Sequence, residues 1–254
     1  MPIDPAGTIG DLRDVIDAAE KAPARAGLGY GHELWWRGQA DARWPLLPGV
    51  FRDSVIAGRE RNLAVEFRER AGTRYAHLPA ADDLPGWLFL MQHYRLPTRL
   101  LDWTESVLAA TFFAVEQAEH HERPGALWGL NPSLLNEKCI GSAGLPVSDD
   151  AEIAPMFHGA FFDPVPAVTR KVAAVGTREV DIRMLVQLSA FTIHTTPDAL
   201  DATPGAPEYL VRYEIPADQK KRLLHQLRLT GIRRSTLFPD LENLARELSG
   251  PSTF

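Results

Sequence analysis

The sequence predicts an α+β fold in one domain, with a helix-rich first half and a mixed or antiparallel sheet drawn largely from the second half. Three observations predict it. Apolar residues recur at helical spacing mainly in the first half, whereas most strand candidates fall in the second. The 254 residues are 45% hydrophobic and 24% charged, which suffices for a real core and excludes disorder for most of the length. No internal repeat or low-complexity segment divides the chain, so one domain over 1–254 is expected, its core spanning about residues 30–248.

In chain order, Thr8 and Asp11 read as a helix N-cap pair, followed by Leu12, Val15, Ile16 and Ala19 at helical spacing. Lys21 to Gly31 is rich in Gly, Ala and Pro and reads as a loop. Glu33 to Trp36 is a short strand broken at Gly38, and Asp41 to Arg52, with Pro45 and Pro48, is irregular. Arg59 to Tyr75 is a helix with Leu63, Phe67 and Ala71 on one face and solvated Glu–Arg pairs elsewhere. Pro85 to Tyr94 is a helix with Trp87, Leu88 and Met91 inward. Leu96 to Trp103 is a tight segment carrying Pro97. A helix then runs from about Glu105 to Glu119 with Leu108, Phe112, Val115 and Ala118 inward.

Ala126 to Leu130 is a strand candidate, and Asn131 to Pro166 reads as one long loop with the acidic run Asp149, Asp150 and Glu152. Val168 to Val175, Ser189 to Thr195 and Tyr209 to Ile215 are further strands. Pro216 opens a helix bearing Leu223, Leu224 and Leu227 with Gly231 as its C-cap, and Pro239 to Leu248 is the last helix.

Net charge is −6, so a basic nucleic-acid coat is absent, although a local basic patch is compatible with that balance. Cys139, the single cysteine, has no disulfide partner within the chain and cannot form a thiolate metal cage. His120 and His121 sit at a helix end, solvated, and make no zinc spacing with Cys139, so no metal is expected. Met1 to Gly10 lacks a secretory pattern and no apolar run spans a bilayer, so a cytoplasmic location without membrane contact is expected.

Four segments carry a family likeness: Leu34-Trp35-Trp36-Arg37-Gly38-Gln39 with Trp44, Leu46, Pro48 and Arg52; the run Gln92 to Trp103 continuing through Thr104; Arg183 to His194; and Gly231 to Leu244. Together they resemble the FRG-domain family, named for a phenylalanine-arginine-glycine signature, with Trp36 where Phe is usual. Arg95 stands where the resemblance implies Gly. The resemblance implies a bacterial or phage-associated protein but no settled reaction, so function is argued from the residues.

Arg37, beside Gly38, is a candidate phosphate ligand or a buried arginine satisfying carbonyls or pairing with Asp102. Gln39, Arg99 and Thr104 join it as candidate cofactor-binding residues, Thr104 as a helix N-cap. Arg99 and Asp102 equally pair to lock a turn. His93, Asp102 and Gln187 are the candidate catalytic residues, His93 as a base, a donor to ligand or a structural residue. An Arg-Gly on a first strand, Thr104 with Ser106 before a helix, and a later acid or amide are similar, by analogy, to ADP-ribosyltransferase folds. Glu179, Asp181 or Gln187 would take the third position there, and an amide lacks the charge such a transition state wants. The expected function is therefore an NAD-binding, ADP-ribosyltransferase-like or NAD-cleaving effector of toxin or phage-defence type, with NAD as substrate. The alternatives are a non-catalytic sensing or protein-interaction module, and a nucleic-acid-acting protein stacking bases on Trp35 and Trp36 beside Arg37.

Overall fold

The computed structural model describes residues 3–26, 33–148, 150–162, 171–176 and 182–249. Helix α1 (Leu12–Arg25) starts at a capping box in which Asp11 accepts from the backbone of Arg13 and Asp14. Thr8 is not part of that cap; it bridges to Glu214. The helix continues through Lys21 and Pro23, where a loop was expected, because Val15, Ala18 and Ala22 form one buried stripe. Residues 27–31 of that expected loop lie outside the described residues.

Strand β1 (Trp35–Gln39) runs through Gly38 rather than stopping at it. A Cβ on Gly38 would sit 1.8 Å from the Ala110 carbonyl oxygen, so this glycine lets a helix backbone rest on the strand. Short α2 (Ser54–Ala57) precedes α3 (Glu60–Ala71) and α4 (Leu84–His93). The expected tight segment before Trp103 is instead the start of strand β2 (Leu100–Thr104), in the middle of the sheet. Helix α5 (Val107–Val115) follows, capped by Ser106 rather than Thr104; the Ser106 hydroxyl oxygen accepts from the Ala109 amide at 3.2 Å. The Ala118 side chain lies outside the description.

Strand β3 (Gly125–Leu130) leads into α6 (Pro132–Ile140). The long loop expected there contains that helix and α7 (Ala154–His158). Asn131 supplies the N-cap, Pro132 the first turn, and Gly141 ends α6 at φ +76°. These local signals outweigh the weak periodicity of the segment. Strands β4 (Val172–Val175) and β5 (Ser189–His194) flank α8 (Ile182–Val186). Residues 163–170, which include the start of the expected strand from Val168, are not described. Short α9 (Ala206–Tyr209) precedes β6 (Leu210–Ile215) and α10 (Lys220–Leu229). The expected last helix is α12 (Leu241–Ser249), and a short helix not expected, α11 (Arg234–Leu237), precedes it, ending before Pro239.

The six strands form an antiparallel sheet in the order β4-β5-β2-β1-β3-β6. An α+β fold is therefore observed, but the sheet's centre is built from the first half of the chain, not the second. Directly paired residues share a face. Trp36, Gly38, Leu100, Phe191 and Val175 mark one face. It is covered by α1, α5 and α10 over β1, β3 and β6, and by α3, α4 and α7 over β2, β5 and β4. The opposite face, with Trp35, Trp103 and Trp128, packs on α6 and the segment around Leu200 to Tyr209. Trp35 and Trp36 are each 4% exposed, so the expected stacking platform is core. No helix among the described residues is long and apolar enough to cross a membrane.

Candidate functional site: a cleft between the two central strands

The two groups of helices part above the seam between β1 and β2. Only Trp36 and Thr104 are paired across that seam, whereas β1 pairs with β3 along its whole length. Residues 37–39 and 100–102 therefore border a gap, and a cavity of about 530 Å³ opens there. Its walls include Arg37, Gln39, Asp102, Thr104 and Gln187. The structure thus brings five of the seven expected site residues to one place, including Gln187, which lies far beyond β3 in the chain.

Their remaining bonding capacity differs. The Gln39 amide is used at both ends, donating to the Pro45 carbonyl at 3.2 Å and accepting from Trp128 Nε1 at 2.8 Å. Thr104 donates to the Gln187 carbonyl at 2.6 Å and accepts from the Ser106 amide at 3.0 Å. Gln187 Nε2 donates to the Leu237 carbonyl at 2.8 Å. These three side chains build the wall.

Arg37 and Asp102 are different. Arg37 donates from Nη1 to the Asp102 carbonyl at 2.6 Å, bridging the gap, and lies 3.7 Å from the Asp102 carboxylate. Among the described residues its Nε is buried without a partner. Burial pulls the guanidinium down to about 10, against the opposing pull of Asp102, so it stays charged at neutral pH. Arg37 also acts on His194 beneath the sheet, where burial first and this positive charge second push the imidazole down to about 3. The Asp102 carboxylate is 56% exposed and faces the cavity. Gln92 Nε2 donates to both of its oxygens at 2.8 Å, while the Gln92 carbonyl oxygen accepts from Thr98. That chain fixes the carboxylate without neutralising it.

Arg99 and His93 do not line the cavity. Arg99 does not pair with Asp102; it is sealed against Glu60, donating from Nε at 2.9 Å and Nη2 at 2.6 Å to the two carboxylate oxygens, with Nη1 on the Met156 carbonyl. Glu60 is accordingly buried, not on the solvated face expected of its helix. His93 packs against the Tyr94 ring, and its carbonyl accepts from Arg183 at 3.0 Å. His120 is half-buried rather than solvated, edge-on to Trp44, and His121 contacts the Val115 carbonyl through Nε2. Glu179 and Asp181 lie outside the described residues.

Three arginines that the sequence reading did not single out as ligands, Arg52, Arg95 and Arg183, also line the cavity. Arg95 explains one departure from the expected motif. It has φ +63° and follows α4 as the left-handed residue of a Schellman ending, in which Leu96 N–H reaches the Met91 carbonyl and Arg95 N–H the Gln92 carbonyl. Glycine suits that conformation, and close approach of another backbone is not the reason.

The fold and cleft define an α+β domain with a polar, arginine-lined site at a split in its antiparallel sheet. Residues 32–123 match the family model of the FRG domain, the family that the motifs resemble. The match covers β1, β2 and the helices α2 to α5, and hence Arg37 and Asp102 with the seam between them. The segments Arg183–His194 and Gly231–Leu244 lie beyond it. No curated protein and no solved structure matches the chain.

Proposed function

We propose that the cleft binds a nucleotide, NAD foremost, and that the chain cleaves or transfers at the nicotinamide–ribose bond as a toxin or phage-defence effector. One observation carries this reading: in a chain of net charge −6, four arginines (Arg37, Arg52, Arg95 and Arg183) face a cavity whose described lining holds a single carboxylate, Asp102. Guanidinium groups take phosphate oxygens in pairs, and a low-dielectric cleft strengthens that attraction. Asp102, held by Gln92, is the group placed to stabilise positive charge growing on ribose C1′ as nicotinamide leaves with the bonding electrons. Water or a nucleophile of a target molecule would then bond to C1′. Gln39, Thr104 and Gln187 keep the walls in place. A second reading, binding without turnover, draws on Gln187: it is an amide tied to a backbone carbonyl where an ADP-ribosyltransferase-like site would want an acid.

NAD and ADP-ribose are expected to raise the melting temperature by mass action, and Arg37→Ala to abolish that rise. Equal shifts in wild type and variant would take Arg37 out of the ligand site, and no shift in wild type would overturn the reading. Nicotinamide release measured for wild type and Asp102→Asn separates the two readings. Turnover lost at unchanged stability supports catalysis, whereas binding with no turnover in wild type supports a sensor.

A further inference from the structure

We infer that the cleft carries a subsite for a flat heteroaromatic base, in which the Trp44 indole stacks on the base and the Gln117 amide pairs with its edge. The inference deepens the nucleotide reading and rests on it for the rest of the ligand. Trp44 is the first observation. The chain has six tryptophans; five are 5% exposed or less, whereas Trp44 is 38% exposed and lines the cavity. An indole at the cavity wall gives up burial that the other five obtain. Its backbone is nonetheless tied down. Trp44 N–H donates to the Asp41 carbonyl at 3.1 Å, and the buried Asp41 carboxylate accepts from the Arg43 amide, the Arg43 guanidinium and Arg123. The ring meets the His120 imidazole at right angles, 5.0 Å between centres. His120 is anchored in turn, since the buried Lys220 Nζ donates to its carbonyl at 2.8 Å and to the Ala40 carbonyl at the end of β1. The imidazole uses at most one face of the indole, and a ring held still in advance stacks at low entropic cost.

Gln117 is the second observation. Among the glutamines that line the cavity, Gln39, Gln92 and Gln187 are already hydrogen-bonded through their side chains. Gln117 is half-buried at the same wall, and its side-chain amide takes no partner among the described residues. It belongs to the same corner as Trp44, because the His120 N–H donates to the Gln117 carbonyl at 3.1 Å while the His120 ring touches the indole. A side-chain amide offers a donor and an acceptor side by side. Adenine presents the complement at N6 and N7, and the carboxamide of nicotinamide presents it as well. A ring face beside an unspent amide therefore suits a base with that edge, and a plain apolar ring would use only half of it.

The test is calorimetric titration of the full chain with NAD, ADP-ribose, nicotinamide mononucleotide and the base-free ribose 5-phosphate, comparing wild type, Trp44→Ala, Trp44→Phe and Gln117→Leu. Trp44→Ala is expected to weaken at least one base-bearing probe about tenfold, and Trp44→Phe to restore most of that, because either ring stacks. Gln117→Leu is expected to weaken the same probe about fivefold, the loss of hydrogen bonds to the base edge. Ribose 5-phosphate should not distinguish the variants from wild type. That pattern supports the subsite, and the probe that loses affinity names the base: adenine for ADP-ribose, nicotinamide for its mononucleotide. Equal losses in Trp44→Ala and Trp44→Phe, or losses shared by ribose 5-phosphate, mean that Trp44 shapes the cleft and overturn the subsite. Where Trp44→Ala lowers the melting temperature, Gln117→Leu decides: a loss confined to base-bearing probes supports the subsite, and no loss overturns it. If NAD binds and no variant weakens it, the subsite fails and the nucleotide reading stands. If ADP-ribose binds through Trp44 and NAD does not bind, the subsite stands and the NAD reading fails. Binding of no probe to wild type overturns both.

Discussion

Two arginines flank the same strand, β2, and end in opposite circumstances. Arg99 meets Glu60 in a two-point ion pair whose side chains are 6% and 8% exposed. Arg37 meets Asp102 loosely at 3.7 Å, keeps a buried Nε without a partner among the described residues, and opens onto a cavity beside a carboxylate that is 56% exposed. In sequence the two look alike, each a few residues from an acid in an apolar motif. A guanidinium whose fork is already filled by a carboxylate has nothing left for a ligand. One that spends a single N–H on a backbone carbonyl keeps most of its donors. Charge near a cleft is therefore a poor guide by itself, and the unused donors are the informative quantity.

The largest effect expected from this contrast lies at the sealed pair. Glu60→Ala leaves a buried Arg99 without its counter-charge and should cost about 3–5 kcal/mol of stability, measured by denaturant unfolding. Replacing both partners, as Glu60→Leu with Arg99→Met, should recover most of that loss, because the desolvation penalty of both charges disappears together. A small loss in Glu60→Ala would mean that Arg99 is not sealed, and the contrast would collapse.

The pH dependence of stability sharpens the other side. His194 is held down to about 3 in the fold, below its ordinary value of 6.5, by burial and then by Arg37. Between those values the unfolded state binds more protons than the folded one, so stability rises with pH across that window and the His194 contribution is complete above it. Falling pH should therefore lower the melting temperature from about 6.5 downward, and His194→Gln should flatten that slope. Arg37→Met should flatten it less, by removing only the second cause. An identical slope in His194→Gln would place the acid sensitivity elsewhere.

The smallest effect is expected at the open pair. Asp102→Asn removes a half-exposed, loosely paired charge and should change stability by no more than about 1 kcal/mol, read from the same denaturation curves. A loss approaching that of Glu60→Ala would make Asp102 a structural anchor of Arg37 and withdraw it from chemistry.

The helices that the sequence announced, α1, α3, α4, α5, α10 and α12, did so because their signals are local. Asp11 with Asp14, and the Leu84–Met91 apolar run after Asp83, act within a turn or two. The β5 and β6 strands were legible for the same reason. The segment Leu100–Thr104 was not, because a five-residue central strand flanked by Pro97 and Ser106 has no period long enough to read. The Asn131–Pro132 cap and the left-handed Gly141 were local signals for α6 that the loop-like composition around them obscured.

The sequence by itself determined that this is one α+β chain and which polar residues stand inside its apolar motifs, since composition and spacing act along the chain. It also marked Arg95 as the odd residue in its motif. Only the tertiary structure decided which of those polar residues were spent. Glu60 is 39 positions from Arg99, and Leu237 is 50 from Gln187, yet these contacts close two candidate ligands into the scaffold. Arg52, Arg95 and Arg183 meet at one cavity for the same reason. A hydrogen-bond partner chosen across such distances follows from the register of β1 on β3 and of β2 on β5, and from a seam left open between them. No local pattern of residues encodes that seam.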